Sequence, residues 1–298
     1  MQQYLDVVRT VLTEGQWKMP PHGIRRLSVP GLTMRFDLDE GFPLITTRDV
    51  RGSWKAMRAE LLWLLSGSTD ANELAERFGI KLWKQWATKE ICSAFGRPEG
   101  QLGPLYGHQW RNFGATVKKT TATGHTLEYN QDGFDQIAYM IKLLKTNPDS
   151  SRIRVSAWNP RDVWKEPVED FNENVFITPC HGTFQIFHAQ GELTLILTQN
   201  SADVPVGVPF NIAEYALLLK MIAHVVGMKA KCLVHVLNDA QIYEDQIDNM
   251  KELLGREPLS LPQVNIVRDV KDIFSFAPDD FELVGYNARP KMNIPVAV

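Results

Sequence analysis

Residues 182–227, GTFQIFHAQGELTLILTQNSADVPVGVPFNIAEYALLLKMIAHVVG, decide the fold. GTFQIFH (182–188) and ELTLILTQ (192–199) read as strands flanking Ala189-Gln190-Gly191, which predicts a hairpin. PFNIAEYALLLKMIAHVVG (209–227) predicts a long helix, apolar on most faces and therefore central and buried. CLVHVLND (232–239) is a further strand. Outward from this segment, LTMRFDL (32–38) and RIRVSAW (152–158) alternate as strands, the latter with Arg152, Arg154 and Ser156 on one face. Helical spacing is carried by Tyr4, Leu5, Val8 and Leu12, by SWKAMRAELLWLLSG (53–67), which stops at Gly67, and by FDQIAYMIKLLKTNP (134–148), which Asn147-Pro148 ends. The stretch 19–31, punctuated by Pro20, Pro21, Gly23, Pro30 and Gly31, predicts a loop carrying Arg25 and Arg26. Residues 113–135 and 160–176 are polar, turn-rich insertions, each too short for a domain. With no linker to divide it, the chain reads as one α+β domain over residues 1–298, a mixed or antiparallel sheet packed on helices.

Composition narrows the function. The 298 residues are 44% hydrophobic and 22% charged, so a disordered or fibrous chain is excluded. A net charge of −3, from 32 Lys+Arg against 35 Asp+Glu, advertises neither nucleic acid nor an anionic membrane. No uninterrupted apolar run is long enough for a bilayer, and the start MQQYLDVVRT lacks the order of a signal peptide. Cys92, Cys180 and Cys232, with no CxxC, argue against a disulfide framework and a zinc site, and for a reducing cytoplasm.

Four places hold candidate chemistry. Cys180 lies in Thr178-Pro179-Cys180-His181-Gly182, a special turn at the entry to a strand. It reads as a nucleophile or as a structural thiol, and an activated thiolate needs cations or donors nearby. Glu60 sits in the apolar helix Ala59-Glu60-Leu61-Leu62-Trp63. It is either a buried proton-transfer group or a helix-edge carboxylate reaching solvent. Gln199-Asn200-Ser201-Ala202-Asp203 runs into Gly207-Val208-Pro209-Phe210-Asn211. These amides suit a planar polar ligand, or else simply cap a helix; Asn211, inside the apolar run, needs partners in either case. Trp83 and Trp86 read as core packing or as a stacking wall for a fused heteroaromatic ring.

Taken together, these stretches resemble the thymidylate synthase family. The resemblance runs from EGFPLITT (40–47) through AELLWLLSGSTD (59–70), LGPLYGHQWRNFG (102–114), NPDSSRIRVSAWNP (147–160), PCH (179–181), VPFNIAEYALLLKMIAH (208–224) and NDAQIYEDQI (238–247) to the C-terminal PVAV. It implies that fold, a homodimer through a sheet face, and one-carbon transfer from 5,10-methylenetetrahydrofolate to C5 of a uracil nucleotide, dUMP to dTMP, without a metal. It implies Cys180 as the nucleophile at C6, Glu60 as the carboxylate moving protons through water, and Tyr106 beside that water. It gives Asn211 to O4 and N3 of uracil, Asp203 to the pterin, and Tyr243 to the sugar 3′-hydroxyl. Trp83, Trp86, Ile177, Gly207 and Phe210 fall to the folate, and Val298 to the lid over it. A hydroxymethylase of the same family, on uracil or cytosine, and a non-catalytic nucleotide- or RNA-binding homologue are the rival readings; Cys180, Glu60, Tyr106 and Asn211 oppose the latter.

The phosphate end departs from the family pattern. Pro21, Asn200 and Ser151 stand where the family has three of its four arginines, leaving Arg152, and Gln241 replaces a histidine on the sugar hydroxyl. Gln199, Asn200 and Ser201 offer only neutral hydrogen bonds there. Two readings follow. Arg25, Arg26 and Arg154 join Arg152 in a relocated anion clamp, or the substrate differs at its phosphate end. In the first, Arg25 and Arg26 serve the ligand; the alternative gives them to solvent and Arg154 to a dimer salt bridge.

Overall fold

The computed structural model describes residues 1–20, 23–122, 124–163 and 175–296. Its helices are α1 (Gln2–Glu14), α2 (Trp54–Ser66), α3 (Ala71–Phe78), α4 (Lys89–Ala94), α5 (Tyr106–Asn112), α6 (Gln136–Thr146), α7 (Pro160–Val163), α8 (Gly207–Val226) and α9 (Ile247–Leu254). Its strands are β1 (Gln16–Lys18), β2 (Arg26–Asp37), β3 (Val117–Thr120), β4 (Thr126–Tyr129), β5 (Arg154–Val155), β6 (Thr183–Ala189), β7 (Glu192–Gln199), β8 (Ala202–Asp203), β9 (Lys229–Tyr243), β10 (Gln263–Ile266) and β11 (Phe281–Val284). Contacts divide the chain into two compact units, Met1–Met57 with Phe184–Val298, and Arg58–Thr183.

The first unit is built on a mixed sheet in the order β1-β2-β9-β7-β6, with β8 also on β9. β2 runs antiparallel to β1 and β9, whereas β7 and β8 run parallel to β9. The predicted hairpin turns at Gln190 (φ 52°) and Gly191 (φ 79°), the two positive-φ positions a tight hairpin needs. β7 alternates strictly, burying Leu193, Leu195 and Leu197. That face meets α8, which packs on β7, β8 and β9. α8 buries nearly every side chain, among them Ile212, Leu217, Leu218, Met221 and Ile222. Each such residue contributes roughly 1.5–3 kcal/mol by leaving water. The helix is long and apolar enough for a membrane by mean hydropathy, yet most of it is buried within the unit, as a core helix is. Gly227 ends it in the left-handed region (φ 72°), its N–H returning to Ala223 O and His224 O.

Two strand expectations need correction. Residues 19–31 are not a loop throughout, because β2 begins at Arg26. β1 pairs only with residues 26–28, so beyond it the outer side of β2 is an edge, where Pro30 is tolerated. The strand expected over 152–158 shrinks to Arg154–Val155. Local bonds take over its backbone: Arg154 N–H donates to Arg152 O (2.9 Å), and Ser156 N–H to the Gln136 side chain (2.9 Å). The alternation itself survives, with Ile153, Val155 and Ala157 buried and Arg152 and Arg154 exposed.

In the second unit α2 buries Ala59, Leu61, Trp63, Leu64 and Leu65. Asp135 caps α6 by accepting from Ala138 N–H (2.9 Å). The insertion 113–135 is more ordered than a turn-rich stretch suggests, since it folds β3 against β4 as an antiparallel pair. Of 160–176, the described residues hold the single turn α7.

Candidate active site

The second unit gathers Glu60, Trp83, Trp86, Tyr106 and Cys180. Glu60, on α2, is 6% exposed, so the solvent-reaching alternative is wrong. Its Oε1 accepts from Trp83 Nε1–H at 2.7 Å. Trp83 belongs to the short turn Leu82–Trp86, and its ring lies 6.0 Å from Trp63, 5.4 Å from Trp86 and 5.7 Å from Tyr106. Trp83 is thus both core packing and a donor, while Trp86 is half-buried. Tyr106, the first residue of α5, is buried, and its hydroxyl accepts from Cys180 N–H at 2.9 Å. One aromatic cluster therefore links the carboxylate to the backbone of the cysteine.

Cys180 is half-buried, as an attacking thiol must be, and its Sγ lies 3.7 Å from Thr178 O. Its neighbour His181 stacks at 4.6 Å on Tyr106. Burial pushes the imidazole pKa down to about 4, so His181 is neutral at physiological pH and brings no charge to the thiol. Gly182 follows in the left-handed region (φ 94°); a Cβ there would lie 2.7 Å from Ala157 Cβ and 3.1 Å from Tyr106 Cδ1. Its carbonyl accepts from Trp110 Nε1–H at 2.9 Å. The glycine lets the backbone lie against Tyr106, which holds the cysteine turn. Ile177 is half-buried in the same segment.

In the first unit Asn211, 6% exposed on α8, finds the partner its burial demands: its Oδ1 accepts from Gln199 Nε2–H at 3.1 Å. Gln199 Nε2 also donates to Ser201 O (3.0 Å), and its Oε1 pairs with His235 Nε2 at 2.7 Å. With Nε2–H of His235 as donor, the Gln199 amide is oriented, and through it the Asn211 amide, leaving Asn211 Nδ2–H as a donor for a ligand. His235 was missing from the sequence-based set. Its signal was a polar residue set between Leu233 and Leu237 on one face of the strand. Asp203 Oδ1 accepts from Val206 N–H at 3.0 Å just before α8. Burial pushes its carboxyl up to about 6, opposed by that bond, by Gln246 and by the Arg48 charge. A Cβ on Gly207 would make ordinary van der Waals contact with Asn211 Oδ1 (3.7 Å) and Asp203 Cβ (3.8 Å), and Phe210 is half-buried.

Arg26, Ser28, Gln241 and Tyr243 share one face of the β2–β9 pair. Register places Arg26 opposite Tyr243, Ser28 opposite Gln241, and Pro30 opposite Asp239. Gln241 Nε2 donates to Asp239 Oδ2 (3.0 Å) and to Ser201 Oγ (3.1 Å). Arg26 reaches Asp239 Oδ2 and the Tyr243 hydroxyl, both at 3.4 Å. Arg26 Nε, Ser28 Oγ and Asp239 Oδ1 are buried there without a hydrogen-bond partner among the described residues. Arg26 is therefore not a solvated charge. Arg25 is half-exposed, ion-paired with Glu244 and set over the Trp17 ring, so it does not join Arg26. Asn200 is exposed and bonds Asn238 (3.2 Å). Arg152 and Arg154 are exposed on the second unit. Pro21 and Val298 lie outside the described residues.

Residues 2–298 match the family described as thymidylate synthase. The chain is 40% identical over 299 residues to the thymidylate synthase of Human herpesvirus 8 type P (isolate GK18), covering 99% of this chain and 84% of that protein. It is 41% identical over 299 residues to the thymidylate synthase of Varicella-zoster virus (strain Dumas), covering 99% and 94%. A match along nearly the whole chain, over a mixed sheet packed on helices, places the chain in the thymidylate synthase family.

Proposed function

We propose that Cys180, Glu60, Tyr106 and Asn211 carry the reductive methylation of dUMP at C5. The reaction class follows from the family: the chain is a methyltransferase that makes dTMP from dUMP. The observation that supports these roles is the buried Glu60, held by Trp83 in the aromatic cluster whose Tyr106 hydroxyl binds the Cys180 N–H.

Cys180 Sγ adds to C6 of the pyrimidine, and the electron pair displaced from the C5–C6 double bond makes C5 nucleophilic. Asn211 Nδ2–H donates to O4 of uracil while Oδ1 faces N3–H; cytosine presents a donor and an acceptor at these places and is mismatched. 5,10-Methylenetetrahydrofolate, when bound, supplies the one-carbon unit and the hydride that reduces it. Glu60 then assists departure of the C5 proton through water, and expulsion of Cys180 from C6 restores the double bond. The residues that the family resemblance gives to the folate are Trp83, Trp86, Ile177, Asp203, Gly207 and Phe210. The half-buried Trp86 indole suits a fused ring, and a carboxyl pushed up to about 6 can hydrogen-bond a pterin in either protonation state.

Arg26 is the cation at the sugar end, beside Tyr243, Gln241 and Ser201, with Arg152 and Arg154 as further candidates for the 5′-phosphate. A homodimer in a reducing cytoplasm completes this reading, which the three free cysteines suit.

Cys180→Ala and the wild type are each incubated with 5-fluoro-dUMP and methylenetetrahydrofolate, then denatured. The wild type is expected to retain a covalent complex and the variant none, with dihydrofolate production from dUMP abolished. Turnover of dUMP by Cys180→Ala would overturn the mechanism.

A further inference from the structure

The second unit holds a cavity of about 480 Å³ that none of Glu60, Trp83, Tyr106 or Cys180 lines. One wall is the segment Gly96, Arg97 and Pro98, another is Gly103, Pro104 and His108, and the third is the β3–β4 pair of the polar insertion. The insertion packs directly on the first wall, since a Cβ on Gly96 (φ 67°) would meet Thr121 Cγ2 at 2.3 Å.

Arg97 is the unusual lining residue. It is 7% exposed, yet among the described residues its guanidinium has no carboxylate within ion-pair distance. Its Nη2 donates to Thr126 O at 2.9 Å, and the guanidinium sits 5.5 Å from the Phe95 ring. The nearby carboxylates are committed elsewhere. Asp162 accepts from Gln109 Nε2 (2.9 Å), Asn159 Nδ2 (2.8 Å) and the Tyr129 hydroxyl, and Glu128 is ion-paired with Lys118 at 3.0 Å. Lys119, exposed on β3, lines the same space, as do His108 and Tyr129, whose rings lie 4.7 Å apart. Burial pushes the Arg97 pKa down, and the Asp162 charge offsets this only in part; burial and the Arg97 charge push His108 down, so its imidazole is neutral at physiological pH. A buried charge is costly unless an opposite charge meets it, and a guanidinium matches an oxyanion in both charge and shape.

We propose that this cavity is a binding site for a compact anion of the phosphate class, held by Arg97 and Lys119 and separate from the catalytic residues. Its volume leaves room for more than the phosphate itself, so a phosphate monoester fits.

Inorganic phosphate, titrated into the full-length enzyme already saturated with dUMP, is the test, with bound phosphate read by ³¹P NMR. One saturable site that dUMP does not displace is expected. Arg97→Gln should weaken it about tenfold or more, the worth of a charge-assisted bond, and Arg26→Gln should leave it unchanged. Lys119→Glu, at an exposed position, should also weaken it, and it carries the test if Arg97→Gln fails to fold. No saturable binding to the dUMP-loaded enzyme would overturn the proposal. So would a site indifferent to the Arg97 and Lys119 substitutions, or one lost with Arg26→Gln.

Discussion

Asp203 is a group whose environment can be tested by pH. Burial holds its folded-state pKa near 6, against an ordinary 3.8. The fold thus favours the neutral acid. Its contribution to stability is complete below about 3.8 and is lost as the pH rises through 6. Asp203→Asn keeps an acceptor for Val206 N–H and removes that loss. The variant should nearly equal the wild type at pH 4 and exceed it by about 3 kcal/mol at pH 8, from roughly two pKa steps of 1.36 kcal/mol each. Urea unfolding at both pH values measures this; equal midpoints at pH 8 would show that the carboxyl is not desolvated. Glu60→Gln is the companion substitution. The amide still accepts from Trp83 Nε1–H, so the urea midpoint should hold, while kcat should drop about 10²- to 10⁴-fold, the usual worth of a general acid–base group. A variant with native kcat would remove Glu60 from proton transfer. Glu60 and Asn211 were legible in the sequence because polar groups on apolar helices demand a partner. The partners were not legible, since Trp83 lies 23 residues from Glu60 and Gln199 lies 12 from Asn211.

The strand and helix ends govern how those side chains are aimed. At the start of β6, a methyl on Gly182 has no room between Ala157 and Tyr106, and the backbone there is left-handed. Gly182→Ala should cost roughly 1–3 kcal/mol from overpacking alone, lowering Tm, and should lower kcat by moving the Tyr106 hydroxyl off the Cys180 N–H. An unaltered kcat would mean that the turn does not set the cysteine. On β9, His235 fixes Gln199 and so the Asn211 amide. His235→Leu should let that amide rotate and cut the dUMP:dCMP ratio of kcat/KM about tenfold, the equivalent of 1.4 kcal/mol. A lower kcat with the ratio intact would reduce His235 to packing. Alternation and Gly-Pro punctuation made the main elements readable. They failed at 152–158, where side-chain bonds replaced the ladder, and at 26–31, where Pro30 and Gly31 mimicked a loop inside a strand.

For the whole molecule, the first prediction concerns assembly. β6 buries Phe184 and Ile186 and turns Phe187 outward, 58% exposed, on the sheet face that α8 does not cover. If the proposed homodimer forms through this face, Phe187→Asp should yield a monomer in sedimentation velocity where the wild type sediments as a dimer, and should depress kcat/KM for dUMP. A dimeric Phe187→Asp would place the interface elsewhere. The division into units has a separate consequence, for biogenesis. Arg58–Thr183 is one continuous stretch, whereas the other unit needs Met1–Met57 to meet Phe184–Val298. β2 pairs with β9 across more than 190 residues, as in Arg26 with Tyr243. At about 5–20 residues per second, a ribosome leaves β2 without its partner for roughly ten seconds or more. During that interval the middle of the chain can already be compact, while an amphipathic strand waits at the N-terminus, open to chaperones and to the wrong neighbour.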